Sequence, residues 1–187
     1  VPHIDLGNEL PGIRSLFSYR PETARPMSEL AEILLRGPST LERWERELIG
    51  THVSGLNECR FCTASHAAFT TAQLPEGLDL NVIRADLGSA PISDKLKALL
   101  EIASAVQRGG RSVTTELVER ARAAGATDPE IHDTVLIAAA FCMFNRYVDG
   151  MATFTPDDPA GYAAGAQRLV RDGYLPLAGA APAHQSA

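Results

Sequence analysis

Glu47-Leu-Ile-Gly-Thr-His-Val-Ser-Gly-Leu-Asn-Glu-Cys59-Arg-Phe-Cys62-Thr-Ala-Ser-His66 places a carboxylate, two thiols and an imidazole in one short segment whose punctuation predicts two helices joined by a turn. Cys59, Cys62 and His66 are spaced three and then four positions apart, so on an α-helix their side chains form a single stripe. A continuous helix would carry Glu47 roughly 18 Å away from Cys59, at about 1.5 Å per residue. Gly55 is expected to stop the first helix, and Asn57 to cap a second that starts at Glu58. If the chain folds back about this turn as an antiparallel pair, Glu47 and His66 are equally far from its centre and stand abreast.

Ser39-Thr-Leu-Glu42 has the form of a capping box opening the first of these helices. The apolar stripe of that helix runs Leu41, Trp44, Leu48, Thr51, Gly55, with Glu47 at its edge. A carboxylate there is either a solvated edge residue or one buried against a partner, and a facing imidazole supplies the partner.

Other helical patterns cover 27–36, 92–108, 114–124, 128–153 and 158–172, besides the pair at 40–54 and 58–73. Pro91 is expected to open the helix at 92, and Thr127-Asp-Pro-Glu130 is a second capping box that opens the longest one. No strand-like alternation competes with these periods, so the chain reads as all-α. With 187 residues, 45% of them apolar, and no Pro/Gly/Ser linker, one core is expected. Residues 1–25 read as an irregular, Pro- and Gly-punctuated arm, 26–172 as one helical domain, and 173–187 as a flexible, Ala- and Pro-rich tail.

A formal charge of -6 with dispersed Lys and Arg argues against nucleic-acid binding. The longest apolar run, Val135 to Phe144, has ten residues, short of the roughly 18 to 20 that span a bilayer. The first thirty residues hold charges and no apolar h-region, so neither a signal peptide nor a membrane partner is expected. Three cysteines, two at Cys-x-x-Cys spacing, suit a reducing compartment, and a cytoplasmic location is expected.

A thiol attacks as thiolate, and an ordinary cysteine, with a pKa of about 8.5, is mostly protonated at neutral pH. With Asn57 as N-cap, Cys59 falls at the second helical position, where the helix dipole favours an anion, and Arg60 adds a positive neighbour. Cys62 lies a turn deeper but four residues from His66, which can take its proton while Glu47 holds the imidazole. The activating influences are thus divided, and both thiols remain candidates for the attack. A Cys-x-x-Cys pair also serves zinc sites. The fourth ligand would have to come from His52, His132 or Cys142, none of which has a paired motif. No metal and no organic cofactor is expected. Cys142 reads as an inert buried thiol, and Asn145, Arg146 and Asp149 as a surface polar group.

The pattern of Glu47, eleven residues, Cys59-x-x-Cys62, three residues and His66 resembles the signature of the alkylhydroperoxidase D-like group in the carboxymuconolactone decarboxylase superfamily. The likeness extends through Ala-Gly-Ala-Thr-Asp-Pro-Glu-Ile, the apolar helix after it and Phe144-Asn145-Arg146, over about residues 25–155. It implies a single-domain helical bundle that assembles into homo-oligomers. The activity it implies is an antioxidant one, reducing hydroperoxides or disulfides by cycling Cys59 and Cys62 between dithiol and disulfide. Glu47 and His66 would relay a proton to Cys62, with Cys59 as its disulfide partner and a separate thiol as reductant. This chain has Phe61 where the best-known members carry a histidine. Its cysteine pair separates it from the true decarboxylases of the superfamily. Two other readings are a lyase or isomerase on the same scaffold, using His66 and Glu47 for acid-base work, and a non-catalytic zinc-stabilised binding module.

Overall fold

A computed structural model of the chain describes residues 1–178. Among these there is no strand; the elements are α1 (Ile13–Tyr19), α2 (Pro21–Arg36), α3 (Arg43–Leu56), α4 (Arg60–Thr71), α5 (Leu80–Ala85), α6 (Asp94–Arg108), α7 (Thr115–Ala123), α8 (Asp128–Gly150) and α9 (Pro159–Asp172), with 3-10 turns at Gly110–Ser112 and Leu175–Ala178. The all-α expectation holds. None of the described helices is long and apolar enough to cross a membrane.

The α3–α4 hairpin is the centre of the bundle. α3 packs most extensively on α4 and, on its other side, against α6 and α8. Leu48, Ile49 and Val53 of α3 meet Leu96, Leu99, Leu100 and Ala103 of α6 and Ile137, Ala138 and Phe141 of α8, all within one buried cluster. At about 25 cal/mol per Å2 of apolar surface removed from water, such side chains contribute roughly 1.5–3 kcal/mol each, which offsets the entropy of ordering the helices.

The hairpin turn differs from the sequence expectation at each end. Gly55 remains helical, and the left-handed residue that ends α3 is Glu58, with φ 59°. The amide of Glu58 donates to Gly55 O (3.0 Å) and that of Cys59 to Ser54 O (3.1 Å), the paired bonds of a Schellman motif in a position usually held by glycine. Asn57 does not cap α4, because its side chain is used elsewhere. Its Nδ2 donates to Asn145 Oδ1 (2.8 Å), and its Oδ1 accepts from Gln107 Nε2 (3.0 Å). These bonds tie the turn to α8 and α6. Asn145 is therefore buried, not at the surface, and its Nδ2 donates to Ser54 Oγ (3.1 Å). The capping box of α3 is likewise displaced, to Glu42 and Glu45, while the hydroxyl of Ser39 accepts from the amide of Leu41 in the preceding turn. α6 starts at Asp94 with Ser93 as N-cap, two residues beyond the expected opening.

The N-terminal arm is more structured than its prolines suggested. α1 and the start of α2 fall inside residues 1–25. Pro21 occupies the first turn of α2, where its missing N–H has no intrahelical partner to lose. Pro26 is accommodated within the same helix, whose Ala24, Ser28, Ala31, Leu34 and Leu35 are buried. Before α1, backbone bonds from His3 N to Met151 O (3.1 Å) and Gly12 N to Phe154 O (2.9 Å) pin the arm to the chain after α8. The tail reading is overturned over its first residues: Gly173 and Tyr174 are buried, and a 3-10 turn follows. The remainder of that expectation, from 179 on, lies outside the described residues.

The second capping box forms as read. The amide of Thr127 donates to Glu130 Oε2 (2.8 Å), and the hydroxyl of Thr127 accepts from the amide of Glu130 (3.4 Å). Glu130 Oε1 also accepts from Lys95 Nζ and Thr40 Oγ1, both at 2.8 Å, joining α6 and the chain before α3 to the head of α8. Burial pushes this carboxyl up, but its bonds to Lys95, Thr127 and Thr40 outweigh burial and hold it at about 2. Because the folded-state value lies below the ordinary 4.5, the stabilisation is fully present above that pH and is lost as pH falls toward 2. Glu130→Gln should therefore cost on the order of 2 kcal/mol at neutral pH. Urea denaturation of both proteins should show that deficit shrinking between about pH 4.5 and 2; a constant deficit would contradict it.

Candidate active site

Glu47 sits on α3 with 1% of its surface exposed. Its Oε2 lies 2.8 Å from His66 Nδ1 on α4, so the two stand abreast as the fold-back requires. Its Oε1 accepts a hydrogen bond from the hydroxyl of Tyr174 at 2.6 Å. With Nδ1 committed to a carboxylate as donor, Nε2 is the imidazole nitrogen left with a lone pair. The ring is fixed on several sides. Phe141 meets it edge-on at 4.6 Å and Phe69 at 5.0 Å, while Tyr174 lies nearly parallel at 6.3 Å.

The two cysteines are not equivalent. Cys59 is the N-cap of α4 and wholly buried, so it does not hold the second helical position. Cys62 is the third residue of α4, still inside the first turn, and the dipole argument transfers to it. Arg60 does not serve Cys59 as expected; its guanidinium turns outward to pair with Asp157 Oδ1 at 2.7 Å. The hydrogen bond to the Cys62 sulfur, burial and the proximity of Cys62 charge push the Cys59 thiol up, opposed by the Cys62 amide, and a hydrogen bond to Asp149 adds to the upward shift. Cys59, wholly enclosed, is thereby disfavoured as a thiolate.

Cys62, 4% exposed, and His66 both line a cavity of about 490 Å3, whereas Cys59 and Glu47 lie behind its wall. Phe17, Met27, Leu35, Phe69, Phe144 and Leu169 make most of that wall apolar. The hydroxyl of Ser28 belongs to it too, buried and without a hydrogen-bond partner. Phe61, in the position where a histidine was noted as absent, packs against the ring of Tyr162 at 6.2 Å.

The remaining zinc candidates lie apart from the thiols. His52 Nε2 bonds Ser104 Oγ at 2.7 Å, His132 pairs with its neighbour Asp133, and Cys142 faces the Asn57 amide. Among the described residues no three His, Cys, Asp or Glu side chains are grouped to hold a metal ion. The residue missed in the sequence is Tyr174. It lies in a segment whose composition reads as tail, and the only local signal was a lone aromatic directly after Gly173.

Residues 21–74 match the sequence model of the carboxymuconolactone decarboxylase family, a stretch that takes in Glu47, Cys59, Cys62 and His66. No curated protein matches the chain. Among solved structures, the fold is similar to that of an uncharacterized peroxidase-related protein from Silicibacter sp. TM1040, at 24% identity over 82% of this chain and 78% of that one, with a TM-score of 0.69. It is also similar to an uncharacterized peroxidase-related protein from Ralstonia eutropha JMP134 described as an alkylhydroperoxidase AhpD core, at 23% identity over 82% and 80%, with a TM-score of 0.72. The fold is thus alkylhydroperoxidase D-like, and the segment that carries the motif is similar to the carboxymuconolactone decarboxylase family, as the sequence reading had it.

Gly50 controls how close α3 comes to the ring that abuts His66. A Cβ there would fall 2.3 Å from Phe141 Cζ, which is buried and has no free end to swing aside. Gly50→Ala should therefore cost about 1–3 kcal/mol and displace the Phe141 ring from His66. Chemical denaturation together with the ring NMR signals of His66 checks this. An unchanged midpoint with unchanged signals would contradict it.

Proposed function

We propose that the chain is a thiol-dependent reductase of organic hydroperoxides, or of disulfides, that cycles Cys59 and Cys62 between dithiol and disulfide. The observation that carries this reading is the placement of Cys62 and His66 on the wall of one apolar cavity with the second thiol bonded directly behind. The imidazole of His66 takes the Cys62 proton at Nε2, while Glu47 fixes the ring through Nδ1. The thiolate attacks the terminal peroxide oxygen, the O–O bond breaks, and the alkoxide leaves with the proton held by His66. Cys62 becomes a sulfenic acid. The protonated Cys59 then forms the S–S bond as the S–O bond breaks, and hydroxide departs as water with the Cys59 proton. A separate dithiol reductant returns two electrons and two protons. On a disulfide substrate the same pair delivers its electrons by thiol exchange.

The cavity supports a substrate with an apolar body, since about 490 Å3 is far more than hydrogen peroxide fills. Ser28 offers a hydroxyl to the substrate's polar end. Assembly with further copies is part of the proposal, supported by the exposed Leu136 and Met143, two turns apart on the same face of α8, and by the exposed Ile33 on α2. A reducing, cytoplasmic setting would keep the resting pair reduced.

A second reading, acid-base chemistry by Glu47 and His66 with the thiols secondary, is favoured by the decarboxylase name of the matching family. Cysteine variants separate the two. With an aryl-alkyl hydroperoxide and a dithiol donor, Cys62→Ser should lower turnover at least about 100-fold. Cys59→Ser should complete one turnover and stop, with a dimedone-trappable sulfenic acid on Cys62. Full activity of Cys62→Ser would overturn the reading, as would a wild-type pair that neither hydroperoxides nor disulfides oxidise.

A further inference from the structure

The turn that follows α9 is built to carry one side chain into the interior. Arg36 Nη1 donates to the last carbonyls of α9, Leu169 O (3.2 Å) and Val170 O (3.1 Å), and its Nε bonds Glu32 Oε1 (3.2 Å). Glu32 Oε2 in turn accepts the amide of Tyr174 at 2.7 Å. Gly173 is what lets the chain pass between them. Its φ is +78°, and a Cβ would fall 2.5 Å from Glu32 Oε2. The result is a tyrosine 5% exposed, stacked beside His66, with its hydroxyl on the carboxylate that holds His66.

We infer that Tyr174 is a positioning residue of the Glu47–His66 pair, fixing the carboxylate by its second oxygen so that the first is presented to Nδ1. A carboxylate with one hydrogen bond can rotate about its terminal torsion; one held at both oxygens cannot. The hydroxyl also draws charge from Oε1, which limits how tightly the pair retains a proton. Burial, the Glu47 charge and the Glu47 hydrogen bond push the Tyr174 hydroxyl well above its ordinary value, so it remains a donor throughout the working range. The chain after α9 thereby completes the relay and lines the substrate cavity through Tyr174, Pro176 and Leu177.

The other charged groups around the pair are few. α2 contributes Glu32 and Arg36, which act on Tyr174, and α3 contributes Arg46, which senses Glu47. α4 contributes Cys62, and Arg14 of α1, Asp158 at the head of α9, and Arg168 and Asp172 of α9 line the same cavity. Phe141 and Phe144, the α8 residues on that cavity, are apolar. Among the described residues, Tyr174 is the side chain that bonds the second oxygen of the carboxylate, His66 holding the first.

This inference rests on the thiol-redox reading, and its test separates the two. Peroxide-driven oxidation of Cys62 is followed against pH in wild type, Tyr174→Phe and Gly173→Ala, and the His66 ring signals are titrated by NMR in the same proteins. Tyr174→Phe keeps the stacked ring and removes the hydroxyl. The acid limb of its rate profile should move up by about one pH unit, a roughly tenfold loss of rate below that limb, and the His66 titration should move with it. Gly173→Ala, which displaces the turn without touching Tyr174, should shift both in the same direction. If wild type oxidises normally and both profiles of Tyr174→Phe superimpose on it, Tyr174 is packing alone and the inference fails. If wild type does not oxidise, the redox reading fails, and the NMR titration still decides the role of Tyr174. Should Tyr174→Phe not fold, Gly173→Ala read by the same titration decides it, with an unshifted His66 counting against.

Discussion

A carboxylate with almost no exposed surface sets the conditions for everything around it. Glu47 on α3 is far too costly to leave buried alone: breaking a buried charged pair by removing one partner typically costs about 3–5 kcal/mol. Its two oxygens are met from two directions, by His66 at 2.8 Å and Tyr174 at 2.6 Å. The first contact fixes how α3 and α4 lie against each other. The second draws the chain after α9 back over the bundle and accounts for the Arg36–Glu32 arrangement and for the glycine at 173. The two helices of the hairpin and the distant chain after α9 are thus held to one another by the hydrogen-bonding needs of a single side chain.

The same hairpin gives its two sulfurs different surroundings. Glu58 takes the left-handed conformation that ends α3, which makes Cys59 the N-cap and moves Cys62 into the first turn of α4. One sulfur is enclosed, and the other lines the cavity beside the imidazole. In the proposed cycle this gives a division of labour, with Cys62 meeting substrate and Cys59 holding the proton that leaves with water.

Much of this was legible in the sequence because it depends on period and spacing. The placing of Cys62 and His66 one turn apart on α4, the fold-back that brings Glu47 to His66, and the Thr127–Glu130 box follow from helix geometry that tertiary contacts did not override, whereas Cys59 leaves the expected stripe to become the N-cap. What was not legible depends on competition for a side chain. Asn57 is a good cap in isolation, but Asn145 and Gln107, distant in sequence, claim its amide. Gly55 is a good terminator, yet the Schellman bonds form around Glu58 instead. Residues 1–25 read as an irregular arm because the burial that stabilises α1 and α2 is a property of the bundle. Tyr174 was hidden for the same reason: nothing local marks an aromatic in an Ala- and Pro-rich stretch as the second partner of a carboxylate.

In the proposed cycle the two thiols of the hairpin act as one redox unit, and the third thiol, Cys142 on α8, stands outside it. Mass spectrometry of the intact and digested protein after one equivalent of organic hydroperoxide tests this most directly. The expected result is a loss of two hydrogens confined to the peptide that holds Cys59 and Cys62, reversed by dithiol, with Cys142 still alkylatable. A persistent sulfenic acid on one cysteine with the other always free, or oxidation that falls first on Cys142, would contradict it.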